Sequence, residues 1–309
     1  METTKTTLMT KRLLLLDFNA LLHRSRNALM RSGRQYTTTD GTPTTGVFST
    51  INTILSIINK TNPTHVVTCF DAGGNARKTE SATYKANRGP LSGDFITESR
   101  ILLDEAFYAM GIECIGLKGI EADDIIYSLA EVARHGIDPF DETIIATVDQ
   151  DLLQCVTDRC KVLLFNSAKK QVLMGEEEVK EKWSCYPDDI KYIKALSGDS
   201  SDNIKGVPKV GPKTALKLLH DADWNLEAVV LHPKVKDYAD QVRENLNLVT
   251  LRNVTGTIGP FSWKEHELGN GLESDLLDFF TKYEMAASIK RLPSIKKTLK
   301  MKWCGEGVI

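Results

Sequence analysis

Aspartates recur at the ends of apolar runs in this chain. Leu13-Leu14-Leu15-Leu16 ends on Asp17, His65–Phe70 ends on Asp71, and Thr143–Val148 ends on Asp149, with Asp151 two residues further on. Five of the six residues in Thr143–Val148 are β-branched, which favours a buried strand. Residues i and i+2 of a strand share one side, so Asp149 and Asp151 are expected to point the same way. Glu121, Asp123 and Asp124 follow the short apolar run Ile112–Leu117, and Asp199 and Asp202 stand i, i+3. Taken singly, each acid reads as well as a helix cap, a helix-dipole partner or a turn residue. Taken together, the repeated strand-end placement calls for another explanation. Parallel strands put their carboxyl ends on one edge, and the acids are expected to converge there.

That convergence has a chemical consequence. Two like charges 4 Å apart repel by about 4 kcal/mol at an effective dielectric near 20. A carboxylate cluster therefore has to be protonated or neutralised by cations. All-oxygen ligands select hard ions, Mg²⁺ or Mn²⁺ in a set that keeps several waters. A pair of such ions is the usual apparatus for hydrolysing a phosphodiester in line.

Two basic stretches accompany the acids. Arg77, Lys78, Lys85, Arg88 and Arg100 surround Tyr84. Cations for phosphates with an aromatic for a base face suit a single strand, although a solvated surface loop fits this stretch alone equally well. Gly206-Val207-Pro208-Lys209-Val210-Gly211-Pro212-Lys213 is a tight turn before a helix. Successive backbone N–H groups there are expected to form a nest for phosphate, with Lys205, Lys209, Lys213 and Lys217 around it. No strand precedes this turn and the glycine spacing is wrong for a nucleoside triphosphate loop.

The elements that must position these residues read as a strand–helix alternation. Asn19–Met30, Val47–Asn59, Ile96–Met110, the segment from Glu121 through Arg134, Glu176–Trp183 and Asp188–Leu196 carry helical patterns. Arg31–Gly46 reads as a loop, and Lys161–Asn166 with Gln171–Met174 as a β-hairpin. Val235–Leu251 and a final Leu272–Ile289 are expected to be helical. The expected fold is α/β, a mainly parallel central sheet flanked by helices over residues 11–183, with a bridge region at about 73–100. A mainly helical part covers 184–309.

Composition restricts the alternatives. The chain has 309 residues, 41% hydrophobic and 26% charged, with a formal net charge of −2. That is an ordinary globular mix, and overall charge gives no hint of a polyanionic partner. The six cysteines show no C-x-x-C pairing and read as reduced packing residues, not a zinc site. No apolar run approaches a membrane span, and polar, Thr-rich Met1–Thr10 reads as a loose arm, with Met9 an alternative start.

Four pieces in order carry a family resemblance: Phe70-Asp71 followed by Tyr84-Lys85-x-x-Arg88; Glu121-Ala122-Asp123-Asp124; Asp149-Gln150-Asp151; and Gly198-Asp199-x-x-Asp202-Asn203-Ile204-x-Gly206-Val207. The chain resembles the 5′-nuclease (flap endonuclease) superfamily from about Lys11 to Leu292. Its length and organisation are most similar to the stand-alone ribonuclease H branch of T-even-like bacteriophages. The resemblance implies a PIN-like nuclease domain and a helix–hairpin–helix at about 198–220. It implies that Asp17, Asp71, Asp123 and Asp149 serve one metal, with Glu121 supporting through water. Asp151, Asp199 and Asp202 would serve a second, with Asp124 nearby. Tyr84, Lys85 and Arg88 match the residues that engage the 5′ strand and scissile phosphate. Lys194 and Lys213 match basic residues near the site and duplex.

The implied cofactors are two Mg²⁺ ions, Mn²⁺ substituting, with K⁺ on the carbonyls of the hairpin. The implied activity is 5′→3′ hydrolysis of RNA–DNA hybrids and of 5′-flap or forked DNA, removing RNA primers from lagging-strand fragments. A single-strand DNA-binding protein and a sliding clamp are the implied partners of a monomer working in the cytoplasm of a bacterial host. Asp40-Gly41-Thr42-Pro43-Thr44-Thr45-Gly46 is similar to a family loop, whereas the bridge segment is short and Trp303-Cys304-Gly305 has no counterpart. A non-catalytic DNA-binding protein of the same fold and a shorter PIN-type ribonuclease are the competing readings. Intact acids count against the first and the Ile204–Leu219 turn against the second. Leu276-Leu277-Asp278-Phe279-Phe280 fits core packing better than a clamp-binding motif.

Overall fold

The structure, a computed structural model, describes residues 10–33, 35–74, 76–87, 93–165 and 171–301. Arg88, the hairpin tip Ser167–Lys170, Met9 and Trp303-Cys304-Gly305 lie outside them. The first half runs β1 (Arg12–Asp17), α1 (Phe18–Ser32), α2 (Thr45–Thr61), β2 (His65–Cys69), α3 (Ala76–Glu80), α4 (Gly93–Met110), β3 (Glu113–Ile115), α5 (Ala122–His135) and β4 (Glu142–Thr147). A 3₁₀ turn, Asp151–Cys155, leads to β5 (Cys160–Phe165), β6 (Gln171–Met174), α6 (Glu176–Trp183) and α7 (Ile190–Ser197). Then come the two-residue strands β7 (Gly198–Asp199) and β8 (Ile204–Lys205), and helices α8 (Pro212–Asp221), α9 (Leu226–Val230) and α10 (Ala239–Val249). The chain closes with α11 (Thr255–Ile258), α12 (Glu273–Lys282), α13 (Ala286–Lys290) and α14 (Leu292–Leu299).

Strands β1–β6 form one sheet in the order β3-β2-β1-β4-β5-β6, parallel except for the antiparallel edge strand β6, and β7 pairs with β8 in a separate antiparallel ribbon. All four leucines of β1 are fully buried, because both faces of the sheet are covered. Leu13 and Leu15 face a core shared with Val67, Ile145, Val162 and α5, α7 and α8. Leu14 and Leu16 face the other core, with Val66, Ile144, Leu163 and α1, α2, α4, α12 and α14. The hydrophobic cores thus follow the two faces of the sheet, and the C-terminal helices α12 and α14 return to pack on α4 and α2. Asp17 continues the Leu13–Leu15 parity, which sends it to the α5 side.

The expected single helix Leu272–Ile289 is instead broken: Glu284 sits at φ 53° between α12 and α13. An αL residue cannot continue a right-handed helix. Leu276, Phe279 and Phe280 are buried in that face of the core, in line with packing and not with an exposed clamp motif. The expected hairpin is present as β5–β6. The described cysteines are all free, and no described helix is long and apolar enough to cross a membrane.

Candidate active site

Strand order changes direction between β1 and β4, since β1 leads outward to β2 and β3 on one side and β4 to β5 on the other. Open α/β sheets leave a crevice at the carboxyl ends of such a pair. Asp17 ends β1 on one lip and Asp149 follows β4 on the other. The opening expectation for Asp149 and Asp151 needs correction. β4 stops at Thr147, Val148 is exposed, and the chain turns, so the two acids do not share a strand. The Asp149 backbone N–H donates to Thr147 Oγ1 (2.9 Å), and Asp149 Oδ1 accepts from the Asp151 N–H (2.9 Å). Asp151 then opens the 3₁₀ turn. This local capping turns the two carboxylates to different neighbours.

The first group is Asp17, Asp71, Asp123 and Asp149, and the donors to Asp17 and Asp71 are neutral. Asp17 accepts from Thr147 Oγ1 (2.6 Å) and from the Ala20 N–H (3.1 Å). Asp71 accepts from the Ala122 N–H at the start of α5 (2.7 Å) and from Asn19 Nδ2. Burial, with Asp149 and Asp71 beside it, pushes the Asp17 carboxyl up to about 7 despite those donors. Asp123 is raised well above the ordinary carboxylate range by burial and then by Asp149 and Asp17. Asn19 and Thr147 were not anticipated as supports. Their signal in the sequence is placement two residues from an acid, Asp17-x-Asn19 and Thr147-x-Asp149.

The second group is already neutralised by the protein. Lys194, on the last turns of α7, reaches both Asp151 Oδ1 and Asp199 Oδ2, the latter at 2.6 Å. Burial alone would raise Asp199, yet the Lys194 ammonium and Ser201 hold its carboxyl down at about 2. Asp202, expected beside Asp151 and Asp199, is drawn elsewhere: its Oδ2 accepts from Tyr84 Oη (3.1 Å) and lies 3.7 Å from Lys85 Nζ. Lys85 Nζ also donates to Glu121 Oε1 (2.6 Å), and its backbone, at φ 54°, is held by an N–H bond to the Asp202 carbonyl (2.8 Å). Although burial opposes it, Glu121 and Asp202 raise the Lys85 ammonium above its ordinary range, so it is charged.

Three further expectations change. Arg77 is only 3% exposed and cannot face nucleic acid. Its guanidinium spans Asp124 (2.7 and 2.8 Å), Glu121 (2.6 Å) and the Thr250 carbonyl (2.9 Å), because a carboxylate pair buried under α5 needs a fixed planar cation. Asp124 is thereby committed to Arg77 and to the Arg252 N–H, not to a metal. Tyr84 is buried, its hydroxyl on Glu121 and Asp202, so its ring is not offered to a base. In the turn before α8, Val207 is buried and its N–H bonds the Leu196 carbonyl (2.8 Å), which removes it from any phosphate nest. Gly206 is a packing glycine: a Cβ there would meet Ser197 O at 2.2 Å. Lys205, Lys209, Gly211 and Lys213 are exposed on one turn and remain available to a phosphate backbone.

Among the described residues, no three Asp, Glu, His or Cys side chains stand close enough together to enclose an ion as they lie. The donor set nevertheless fits hard cations. In the first group burial and neighbouring acids hold the Asp17 and Asp123 carboxyls above the ordinary range, and in the second an ammonium already sits on Asp151 and Asp199.

Comparison with known proteins agrees with this arrangement. Residues 12–184 match the family model of the 5′-3′ exonuclease N-terminal resolvase-like domain, and residues 185–257 that of the 5′-3′ exonuclease C-terminal SAM fold. The chain is 36% identical over 228 residues to a 5′-3′ exonuclease of Bacillus subtilis, covering 72% of this chain and 75% of that one. It is 37% identical over 216 residues to DNA polymerase I of Caldicellulosiruptor bescii, a match covering 68% of this chain and 24% of the polymerase's length. In fold it is similar to a T5 5′-exonuclease mutant (TM-score 0.60, 16% identity, 90% and 99% coverage). It is likewise similar to flap endonuclease-1 from Methanococcus jannaschii (TM-score 0.60, 17% identity, 94% and 93% coverage). An acid-lined crevice at the β1–β4 switch, on a chain matched by both family domains in order, has one reading: the protein belongs to the 5′–3′ exonuclease family and is a 5′ nuclease.

Proposed function

We propose that this nuclease is a two-metal phosphodiesterase acting on RNA–DNA hybrids, on 5′ ends and on 5′ flaps. Its work is the removal of RNA primers and adjacent DNA from lagging-strand fragments. The observation that supports this most is the division of the acids at the crevice into two groups, one around Asp17 and Asp149 and one around Asp151 and Asp199. Two Mg²⁺ ions, with Mn²⁺ as substitute, would be held there and supply an activated water and charge stabilisation of the leaving oxygen. The chain's own residues do the rest. Asn19 and Thr147 orient the first carboxylates. Lys85, charged and pinned beside Glu121, lies where a scissile phosphate between the groups would meet a cation. Arg88 is assigned, with Lys85, to the 5′ strand and its scissile phosphate.

Lys205, Lys209, Gly211 and Lys213 are assigned to the duplex backbone, with K⁺ on the carbonyls of the 198–220 hairpin. A solved T5 flap endonuclease of similar fold is described in complex with DNA and metal ions (TM-score 0.63, 16% identity), and that binding is transferred here as part of the proposal. A catalytic α/β domain over 11–183 and a helical domain over 184–309, a monomeric state, a single-strand DNA-binding protein and sliding clamp as partners, and a phage-encoded protein in a bacterial cytoplasm complete the proposal.

The test is a panel of 5′-labelled hybrid, nicked duplex and flap with Mg²⁺. Release of short 5′ fragments is expected, and Asp151→Asn is expected to abolish it. Cleavage that survives EDTA, or full activity of that variant, would sink the reading.

A further inference from the structure

Tyr84 and Lys85 are buried, whereas Thr83 before them and Ala86 and Asn87 after them are exposed. Part of what covers the pair comes from far along the chain. The Tyr84 side chain packs with Ile204 of β8 and Val249 of α10 in a small core of their own. The polar contacts join the segment to the turn of the β7–β8 ribbon, residues 200–203. Asn203 Nδ2 donates to the Thr83 carbonyl (2.7 Å), the Lys85 N–H to the Asp202 carbonyl (2.8 Å) and Asn87 Nδ2 to the Ser200 carbonyl (2.9 Å). The Thr83 carbonyl also accepts from the Ala86 N–H (3.1 Å), closing the turn that carries Tyr84 and Lys85. One oxygen therefore ties that local turn to the ribbon. Lys85 stands at φ 54°, a left-handed conformation that lysine seldom adopts and that persists only where the surroundings fix it.

We propose that Asn203 is a positioning residue that acts on the reaction through Lys85. Its amide holds the Thr83 carbonyl, the turn at Thr83 holds the Lys85 backbone, and the ammonium is thereby brought to Glu121 Oε1 (2.6 Å). The lysine lies in the segment matched by the N-terminal family domain and the asparagine in that matched by the C-terminal one, so the second domain helps to assemble the site of the first. Asn203 has a local use as well, since it stands at φ 57°, which asparagine tolerates. Glycine tolerates that conformation too but brings no amide, which separates the two uses. The inference rests on the role proposed above for Lys85 and adds the residue that places it.

The experiment measures single-turnover cleavage of a 5′-labelled flap with Mg²⁺ by the full chain carrying Asn203→Gly, Lys85→Ala or both. Lys85→Ala is expected to lower the maximal rate by about a hundredfold. Asn203→Gly is expected to lower it by about tenfold with flap affinity within about twofold, and to have less than about a twofold effect when Lys85 is already alanine. A tenfold loss that persists in the double variant, or a wild-type rate in Asn203→Gly, would overturn the positioning role and leave that of Lys85 standing. A wild-type rate in Lys85→Ala would overturn both. A second readout needs neither metal nor substrate: tryptic cutting of the Lys85–Ala86 bond in EDTA, identified by mass, is expected to quicken about tenfold in Asn203→Gly. An unchanged cutting rate would show that the amide does not hold the segment. Should Asn203→Gly fail to fold, Asn87→Ala, which opens the clasp from the other side and leaves the ribbon's own residues intact, decides alone. It is expected to give the same pattern at about threefold, and wild-type values in both measurements would refute the clasp.

Discussion

The two halves of the acidic edge are built from the same residue type but solve the repulsion problem differently. Around Asp17 and Asp123 burial and the neighbouring carboxylates dominate, and the two carboxyls hold their protons more tightly. Around Asp151, Asp199, Glu121 and Asp124 it supplies Lys194, Lys85 and Arg77, and Asp199 is held ionised. The first half is electrostatically strained as it stands. The second is stable as it stands. A cluster of acids is therefore not one site of uniform character, and what its members do depends on the cations that the fold brings to them.

The largest effect that would sharpen this contrast is at Asp17. Its folded pKa of about 7 lies above its ordinary value of 3.8. Its stabilising contribution is therefore fully present below about pH 4 and is lost as pH rises through 7, by up to about 4 kcal/mol. Asp17→Asn, which removes that charge, is expected to make the metal-free protein more stable at pH 8, though not at pH 4. It is also expected to lower nuclease activity by about a thousandfold. Thermal melts at both pH values with EDTA, alongside a cleavage assay, read both effects. A variant that lost stability at pH 8 would show that the first half is not under electrostatic strain.

In the second half the expected sign is reversed. Arg77→Met leaves Glu121 and Asp124 buried without their guanidinium and is expected to cost about 3 kcal/mol by urea unfolding. A neutral result would place Arg77 outside the structural frame and reopen it as a nucleic-acid contact. The smallest effect is expected on the exposed turn before α8. Lys213→Ala should weaken duplex binding by less than about tenfold and reduce the salt dependence by about one ion, with stability unchanged. An unaltered salt slope would remove that turn from the interface.

Much of this architecture was legible from pattern. The leucine run of β1, the β-branched run of β4 and the stripe of α2 announce their elements, and three apolar runs ending on aspartate announce an edge. Other features were misread for identifiable reasons. Asp149 and Asp151 were expected on a strand because the β-branched run reaches Val148, but Thr147 caps the turn and ends the strand one residue earlier. Arg77 was expected in solvent because its neighbours are polar. Its partners Glu121 and Asp124 lie 44 and 47 residues away, a pairing that local composition does not carry.

The sequence by itself determined the inventory and order of the acids, the two-faced parallel sheet that collects them, and the family to which the motifs belong. Hydrophobic periodicity and residue chemistry are local properties, and they survive in a linear reading. Only the tertiary structure decided which acid meets which cation. Lys85, Lys194 and Arg77 reach their carboxylates across different elements, and the low dielectric around them makes each pairing decisive for whether an acid is neutralised from within or waits for an ion.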